Sequence, residues 1–288
     1  MIQMQMSLGE VLRLTLFGTS HGPLVGAFLE GVPAGISIDF PKLETLMSER
    51  RPGGRYASKR REPDNVKFLS GVDNGITTGG KIEISIKNKD VRTKDYSFLP
   101  DHPRPGHQDM VMMKKTDGEA DLRGGGMSSA RLTAPIVAAS AIITPLIEQL
   151  GININAHVCS VGTIDSKPLG ECEPKWETEE CRDIRCQDKK AAIEMIKLVE
   201  QHRMNLDSIG SKVELQISGM PMGIGEPWFD GLEPYLARAM MSIPAARGVE
   251  FGRGFSVVQM KGSDHNDCLL YTSPSPRDRT RSRMPSSA

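Results

Sequence analysis

Of the six histidines in the chain, two stand beside glycine in turn-like segments: His21 in GTSHG and His107 in RPGHQD. An imidazole titrates near neutrality, so two of them converging on one pocket are equipped to donate protons to a leaving group and to a cofactor. Guanidinium groups concentrate around them. Arg50, Arg51, Arg55, Arg60 and Arg61 fall within RRPGGRYASKRRE, followed by Arg104, Arg123 and Arg131. Four of the eight, Arg51, Arg55, Arg104 and Arg123, stand beside Gly or Pro and not on a helix face opposite Glu. Planar guanidinium forks bind phosphate and carboxylate in two-point fashion, which suits a small polyanion. Two other readings compete. One is a solvated basic face balanced by Glu49, Glu62 and Asp64. The other is a nucleic-acid surface, for which the one aromatic residue of the region, Tyr56, supplies too few stacking platforms.

A third group is RGGGMSSARLTAP, where Gly124, Gly125 and Gly126 precede Ser128 and Ser129 at the start of an apolar run. Backbone N–H groups and hydroxyls at a helix N-terminus form an anion site, which could hold a cofactor phosphate. The segment has neither GxGxxG nor GxxxxGK[ST] spacing, which disfavours dinucleotide and P-loop readings.

These residues need elements to hold them. Leu12, Leu14 and Leu16 alternate with Arg13 and Thr15, the period of a half-buried strand, and this strand runs straight into GTSHG. Asp39 before Pro41 predicts an N-cap and first turn, with Leu43, Leu46 and Met47 at helical spacing up to Arg50 and a stop near Pro52, Gly53 and Gly54. Val66 to Val72 and the alternation Ile82, Ile84, Ile86 read as strands, paired antiparallel. Ser128 to Leu150 reads as a buried helix that Pro135 and Pro145 must kink or interrupt. Beyond it come a strand in ININAHVCSV, a helix from about Lys189 to His202, a strand SKVELQIS, a helix from Leu232 to Met241 and a strand FSVVQM. Asp165 to Asp188 reads as an exposed excursion.

The 288 residues are 38% hydrophobic and 25% charged, with 36 basic against 36 acidic side chains and mean hydropathy −0.31. Such a composition fits a globular protein with one large domain or two ordinary ones, and any pull on anions must come from local clusters. No membrane-spanning run, secretory leader or transit peptide is read in the sequence, so the cytoplasm is the default location. Five cysteines (Cys159, Cys172, Cys181, Cys186, Cys268) without paired CxxC spacing read as reduced thiols with no metal. The last 21 residues, CLLYTSPSPRDRTRSRMPSSA, lose all periodicity. We read 268–288 as a disordered tail of foreign sequence, joined where a reading frame was cut short, after one domain spanning 1–267.

In order along the chain, FGTSHG, EGVPAG, RRPGGRY with KRREPD, FLSGV with TTGGKIEISIKNKD, DY, RPGHQD, DLRGGGMSSARLTAP, NAHVCSVG, DSIGSKVE, GMPMGIGEPWFDGLE, SIPAARGVEFGRGF and KGSDHND resemble the chorismate synthases, from about Leu12 to Asp267. The resemblance implies an α/β fold, a β-α-β sandwich with helices between antiparallel sheets, and a homotetramer that binds neither nucleic acid nor membrane. It implies a shikimate-pathway lyase that performs the anti 1,4-elimination of phosphate from 5-enolpyruvylshikimate 3-phosphate with reduced FMN. The reduced flavin would come either from NADPH oxidised by the protein itself or from an external reductase. Carried over by position, His21 keeps the flavin suitably protonated and His107 assists departure of phosphate. Arg50, Arg51, Arg55, Arg123 and Arg131 clamp the substrate's phosphate and carboxylates or lie near the cofactor, while Ser128, Ser129, Ala245 and Met127 map onto flavin contacts. Met127 and Leu132 stand where the family often has Arg and Glu, and Pro244 where many members have Asn. The family's later flavin loop, Lys-Pro segment and Arg-Asp stretch have no counterpart after KGSDHND, which implies weak or absent turnover. The rival classes are a catalytically dead flavin or anion-binding module and an RNA-binding protein.

Overall fold

Alternation of apolar and polar residues in the first ninety positions builds an antiparallel sheet around two central strands. In the computed structural model, which describes residues 6–51, 56, 60–91, 93–172, 176 and 178–265, β1 (Ser7–Leu8), β2 (Arg13–Gly18), β3 (Leu24–Glu30), β5 (Val66–Ser70) and β8 (Ile82–Lys87) run in the order β1-β2-β3-β8-β5. Register pairs Val25 with Ile86, Ala27 with Ile84 and Leu29 with Ile82. All six side chains are fully buried. One pleat face of the two strands is therefore wholly apolar, and a helix must cover it.

That helix is α3, Thr133–Gln149, which lays Ala134, Ala138, Ala139, Ala141 and Ile142 on the strands. Small side chains let its backbone approach the sheet closely. It begins at Thr133 and not at Ser128, because Gly124, Gly125 and Gly126 all take positive φ and Ser129 caps a separate 3₁₀ turn over Ala130–Leu132. Pro135 falls in the first turn, where its missing N–H costs nothing. By length and apolarity Arg123–Gln149 passes as a membrane-spanning stretch, which the sequence reading did not count. Its continuous α-helical part is 17 residues long and supplies much of the core over this sheet. Truncating Ile84 to Ala beneath it is expected to cost about 2–5 kcal/mol in chemical denaturation, the range for an unfilled core cavity.

Helix α1 (Phe40–Arg50) packs beside α3, with Leu43 and Met47 buried. As predicted, Asp39 caps it, accepting from the Lys42 backbone N–H at 2.9 Å. The predicted strand over Val66–Val72 is split at Gly71. A Cβ there would stand 2.6 Å from the Lys81 carbonyl oxygen, and φ is +76°. The break hands β6 (Val72–Asp73) to a separate small sheet of order β4-β7-β6, with β4 at Ala34–Ser37 and β7 at Ile76–Thr78. A third sheet, β10-β9-β11, joins β9 (Asn153–Val161), β10 (Ile164–Asp165) and β11 (Ser211–Ser218). It is covered by α5 (Lys189–Met204) through Ala191, Ala192 and Met195, with α4 (Glu179–Ile184) adding Cys181. The segment read as an exposed excursion thus carries two fully buried residues, Cys181 and Cys186. All four described cysteines are free thiols, and no group of three or more metal-ligating side chains occurs among the described residues.

The chain divides into two compact units after Ile224. The second holds α6 (Leu232–Met241), as predicted. The predicted strand FSVVQM is instead a 3₁₀ turn, Gly254–Gln259. No strand lies in this unit among the described residues, so an extended segment would leave its ladder unpaired, whereas a turn lets the Met260 N–H donate to the Val257 carbonyl at 3.0 Å. Arg55 and the tail 268–288 lie outside the described residues.

Candidate active site

The site is assembled where β2 turns into β3. Antiparallel pairing of Gly18 with Val25 closes a short loop, Thr19 to Pro23, and puts His21 at its tip. Asn88, one residue past β8, secures that loop from the neighbouring strand. Its amide donates to the carbonyls of Thr19 (3.0 Å) and Gly22 (2.8 Å), and its own carbonyl accepts from Arg131 Nε at 2.9 Å.

Behind the loop, the irregular segment 60–65 inserts two acids. Glu62 accepts from Arg60 Nε (3.0 Å) and Nη2 (2.7 Å) and from the backbone N–H groups of Lys89 and Asp90. Asp64, 1% exposed, is gripped from both sides: Arg50 Nη1 donates to one oxygen at 2.6 Å and Arg131 Nη1 to the other. Both acids are buried, so they are not counter-charges on a solvated face. Burial, together with nearby Arg131, draws the Arg50 guanidinium below its ordinary pKa, and Asp64 opposes the shift. This knot holds two cations to one anion. Arg131, 5% exposed, also keeps a buried Nη2 with no hydrogen-bond partner. A buried donor without an acceptor is costly, so the donor set fits an anionic oxygen brought by a ligand.

His21 packs against Gly124, where a Cβ would stand 2.3 Å from its Cε1, and meets the Tyr96 ring edge-on at 4.8 Å. Burial lowers its pKa first, then the charges of Arg60 and Arg123, against Asp121 and the Arg123 carbonyl. These surroundings favour the neutral ring. Arg60 also donates to the Ser20 carbonyl at 2.9 Å. Asp121 works against its own burial to stay ionised: Arg123 holds it in a two-point pair (2.8 and 3.0 Å), and Thr19 adds a hydrogen bond. Next to this, Arg104 forms a second two-point pair with buried Asp109 at 2.8 Å and lies over Tyr96 at 5.6 Å. The hydrogen bonds from Arg104 hold the Asp109 carboxyl below its usual range.

Of the predicted site residues, His21, Arg50, Arg123 and Arg131 are drawn into this connected network. His107 is exposed on the turn leading into α2 (Asp109–Lys115), where its backbone donates to the Arg104 carbonyl at 3.2 Å. No direct contact joins it to His21 among the described residues; the link runs through Arg104 and Tyr96. Arg51 donates from Nη2 to Glu44 at 2.7 Å along α1, while its Nε is buried without a hydrogen-bond partner. Ser129 accepts from the Arg131 backbone N–H, Ser128 is exposed, and Met127 is half-buried beside it. Ala245 takes φ +71° in the second unit. Sequence reasoning missed Ser20, Asn88, Tyr96 and Asp121, and named Glu62 and Asp64 only in the competing reading of a solvated basic face. Proximity of acids to an arginine cluster was the available signal, since buried guanidinium groups need partners.

A family profile described as "Chorismate synthase" matches residues 12–282. The chain is 44% identical over 262 residues to the chorismate synthase of Aeropyrum pernix, covering 91% of this chain and 69% of that protein. It is 40% identical over 266 residues to that of Korarchaeum cryptofilum, covering 90% and 72%. A solved structure described as "Crystal Structure of Chorismate Synthase" superposes with TM-score 0.69 at 25% identity, covering 94% of this chain and 77% of the other. The α/β architecture of this chain, with its antiparallel sheets, agrees with the fold that the motifs implied. On the extent of the profile match and the identity to these relatives, the chain belongs to the chorismate synthase family.

Proposed function

We propose that this chain eliminates phosphate from 5-enolpyruvylshikimate 3-phosphate to form chorismate, with reduced FMN bound beside the substrate. The observation that carries the reading is the buried Arg50–Asp64–Arg131 knot. It has surplus positive charge and an unpartnered Arg131 Nη2, and Asn88 ties it to the His21 loop. An anionic substrate supplies the missing acceptor. Arginines turned inward onto Asp64, Glu62, Asp109 and Asp121 favour a small buried anion over a nucleic-acid surface.

When bound, the reduced flavin supplies electron density to the substrate. The chain's own work is to bind, orient and manage protons. Arg50 and Arg131 hold the substrate's anionic end, Arg60 and Arg123 extend the positive field toward His21, and Gly124 to Gly126 with Ser128 and Ser129 form the approach for a cofactor phosphate. His21 handles a proton inside this field. A bound dianion cancels the charge of Arg60 and Arg123, raises the proton affinity of the ring and so couples protonation to binding. His107, on its exposed turn, serves as the second proton carrier. The homotetramer, the cytoplasmic location, the NADPH supply and the Ala245 contact stand with this reading by resemblance to the family.

Calorimetric titration with 5-enolpyruvylshikimate 3-phosphate, under anaerobic conditions with reduced FMN, tests the assignment. Arg131→Met is expected to weaken binding by roughly 30-fold to 100-fold, the loss of a charge-assisted pair. Arg13→Ala should stay within about threefold, as for a guanidinium that is 52% exposed and paired at the surface with Glu30. Absence of substrate binding to the unaltered protein, or an Arg131→Met variant that binds equally well, would overturn it.

A further inference from the structure

Ser20 is fully buried, and its hydroxyl lies 3.0 Å from His21 Nδ1, 3.0 Å from the Arg123 carbonyl oxygen and 3.3 Å from the Gly124 carbonyl oxygen. A hydroxyl has one hydrogen to give, whereas carbonyl oxygens have none. Were that hydrogen given to the imidazole, two carbonyl oxygens would face the hydroxyl oxygen with no proton between them, in a place water does not reach. Given to a carbonyl, it leaves the hydroxyl lone pair free to accept, and the ring must then donate from Nδ1. We propose that Ser20 is a positioning residue that fixes the neutral imidazole of His21 as its Nδ1–H tautomer, making Nε2 the atom where His21 takes up and gives back a proton.

The surroundings agree. The charged groups acting on the ring are Arg60 and Arg123, which oppose its protonation, and Asp121, which favours it but is held by Arg123 and Thr19. Tyr96 meets the ring at its edge, and the Arg123 carbonyl stands as a further acceptor for a ring N–H. The Ser20 backbone is fixed as well, since its N–H donates to the Gly126 carbonyl at 3.1 Å and its carbonyl accepts from Arg60. Protonation at Nε2 gives an imidazolium with Nδ1–H still on Ser20. Release of that proton from Nε2 restores the same neutral tautomer, so one proton enters, one leaves and the Ser20 hydrogen stays in place. The tautomer follows from the geometry alone; its importance for the elimination rests on the function proposed above.

The same molecule contains the opposite case. Buried His157 accepts at Nδ1 from the Gln187 backbone N–H (3.3 Å), so its proton sits on Nε2, toward Glu214 at 3.1 Å. Long-range ¹H–¹⁵N correlation on the ¹⁵N-labelled full chain at pH 8, without ligand, reads both rings in one spectrum. His21 is expected as Nδ1–H and His157 as Nε2–H, each in roughly tenfold excess over the other form, as one buried hydrogen bond gives. In Ser20→Ala, His21 should lose that excess while His157 keeps its pattern, which shows that the fold is intact. Ser20→Thr restores the hydroxyl and should recover the Nδ1–H form. Two results would overturn the proposal: Nε2–H on His21 in the unaltered protein, or Nδ1–H persisting undiminished in Ser20→Ala. The first needs no variant, so a Ser20→Ala chain that fails to fold does not shield the proposal. Failure of the substrate to bind would sink the functional reading and leave the tautomer result standing.

Discussion

Asp64→Ala is expected to destabilise the protein by about 3–5 kcal/mol, the penalty for stranding buried charge. The carboxylate is the shared counter-ion of Arg50 and Arg131, and its side chain is 0% exposed. Removing it leaves two guanidinium groups facing each other across a space that solvent does not enter. The backbone adds to the cost. Asp64 has φ +51°, a left-handed conformation that Asp and Asn tolerate and alanine does not. Urea denaturation should show a lower midpoint with an unchanged slope. Asp64→Asn, which keeps the shape, the conformation and one acceptor oxygen, should recover part of the loss. Substrate affinity should fall in both variants, because the arginines lose the group that aims them. An Asp64→Ala protein within about 1 kcal/mol of the unaltered chain would show that water or rearrangement relieves the knot.

Gly124→Ala should be the smallest change with the largest functional effect. An added methyl would stand 2.3 Å from His21 Cε1, 2.5 Å from Nδ1 and 2.8 Å from Ser20 Oγ, at φ +60°. Neither the left-handed backbone nor the contact is tolerable as it stands, so the imidazole must be pushed out of register with Ser20. Displacing a reacting group by about 1 Å costs on the order of 100-fold in rate. Stopped-flow measurement of phosphate release should show this loss falling on kcat more than on KM, since Arg50 and Arg131 are untouched. The expectation fails if kcat changes by less than about tenfold, or if the His21 ring signals in the NMR spectrum do not move.

Much of the architecture was legible because short-range rules govern it. The alternation at Ile82, Ile84 and Ile86 and the Asp39–Pro41 cap needed nothing but local pattern, and both stand as read. FSVVQM failed for the complementary reason. Alternation states a preference for a strand, but a strand needs a neighbour, and none lies beside it in its unit among the described residues. In the candidate site, residue type singled out His21, Arg50, Arg123 and Arg131, which the fold draws into one network. It was a poor guide to Asp64 and Glu62, whose burial is set by pairing across the fold. Ser20 was invisible for the same reason: a serine in a glycine-rich turn is ordinary until Arg123 and Gly124 arrive over it from another part of the chain.

Those arrivals have a kinetic side. Ser20 and Arg123 are 103 positions apart along the chain, and Asp64 and Arg131 are 67 apart. Closing such long loops is paid in entropy before any contact rewards it, so pairings of this kind belong to the slow, late part of folding. A half-folded chain, even one with its hairpins formed, therefore offers no anion trap to the phosphorylated metabolites around it. Ligand that binds the finished state would draw the folding equilibrium after it, and a larger share of the molecules would stand protease-resistant where substrate is abundant.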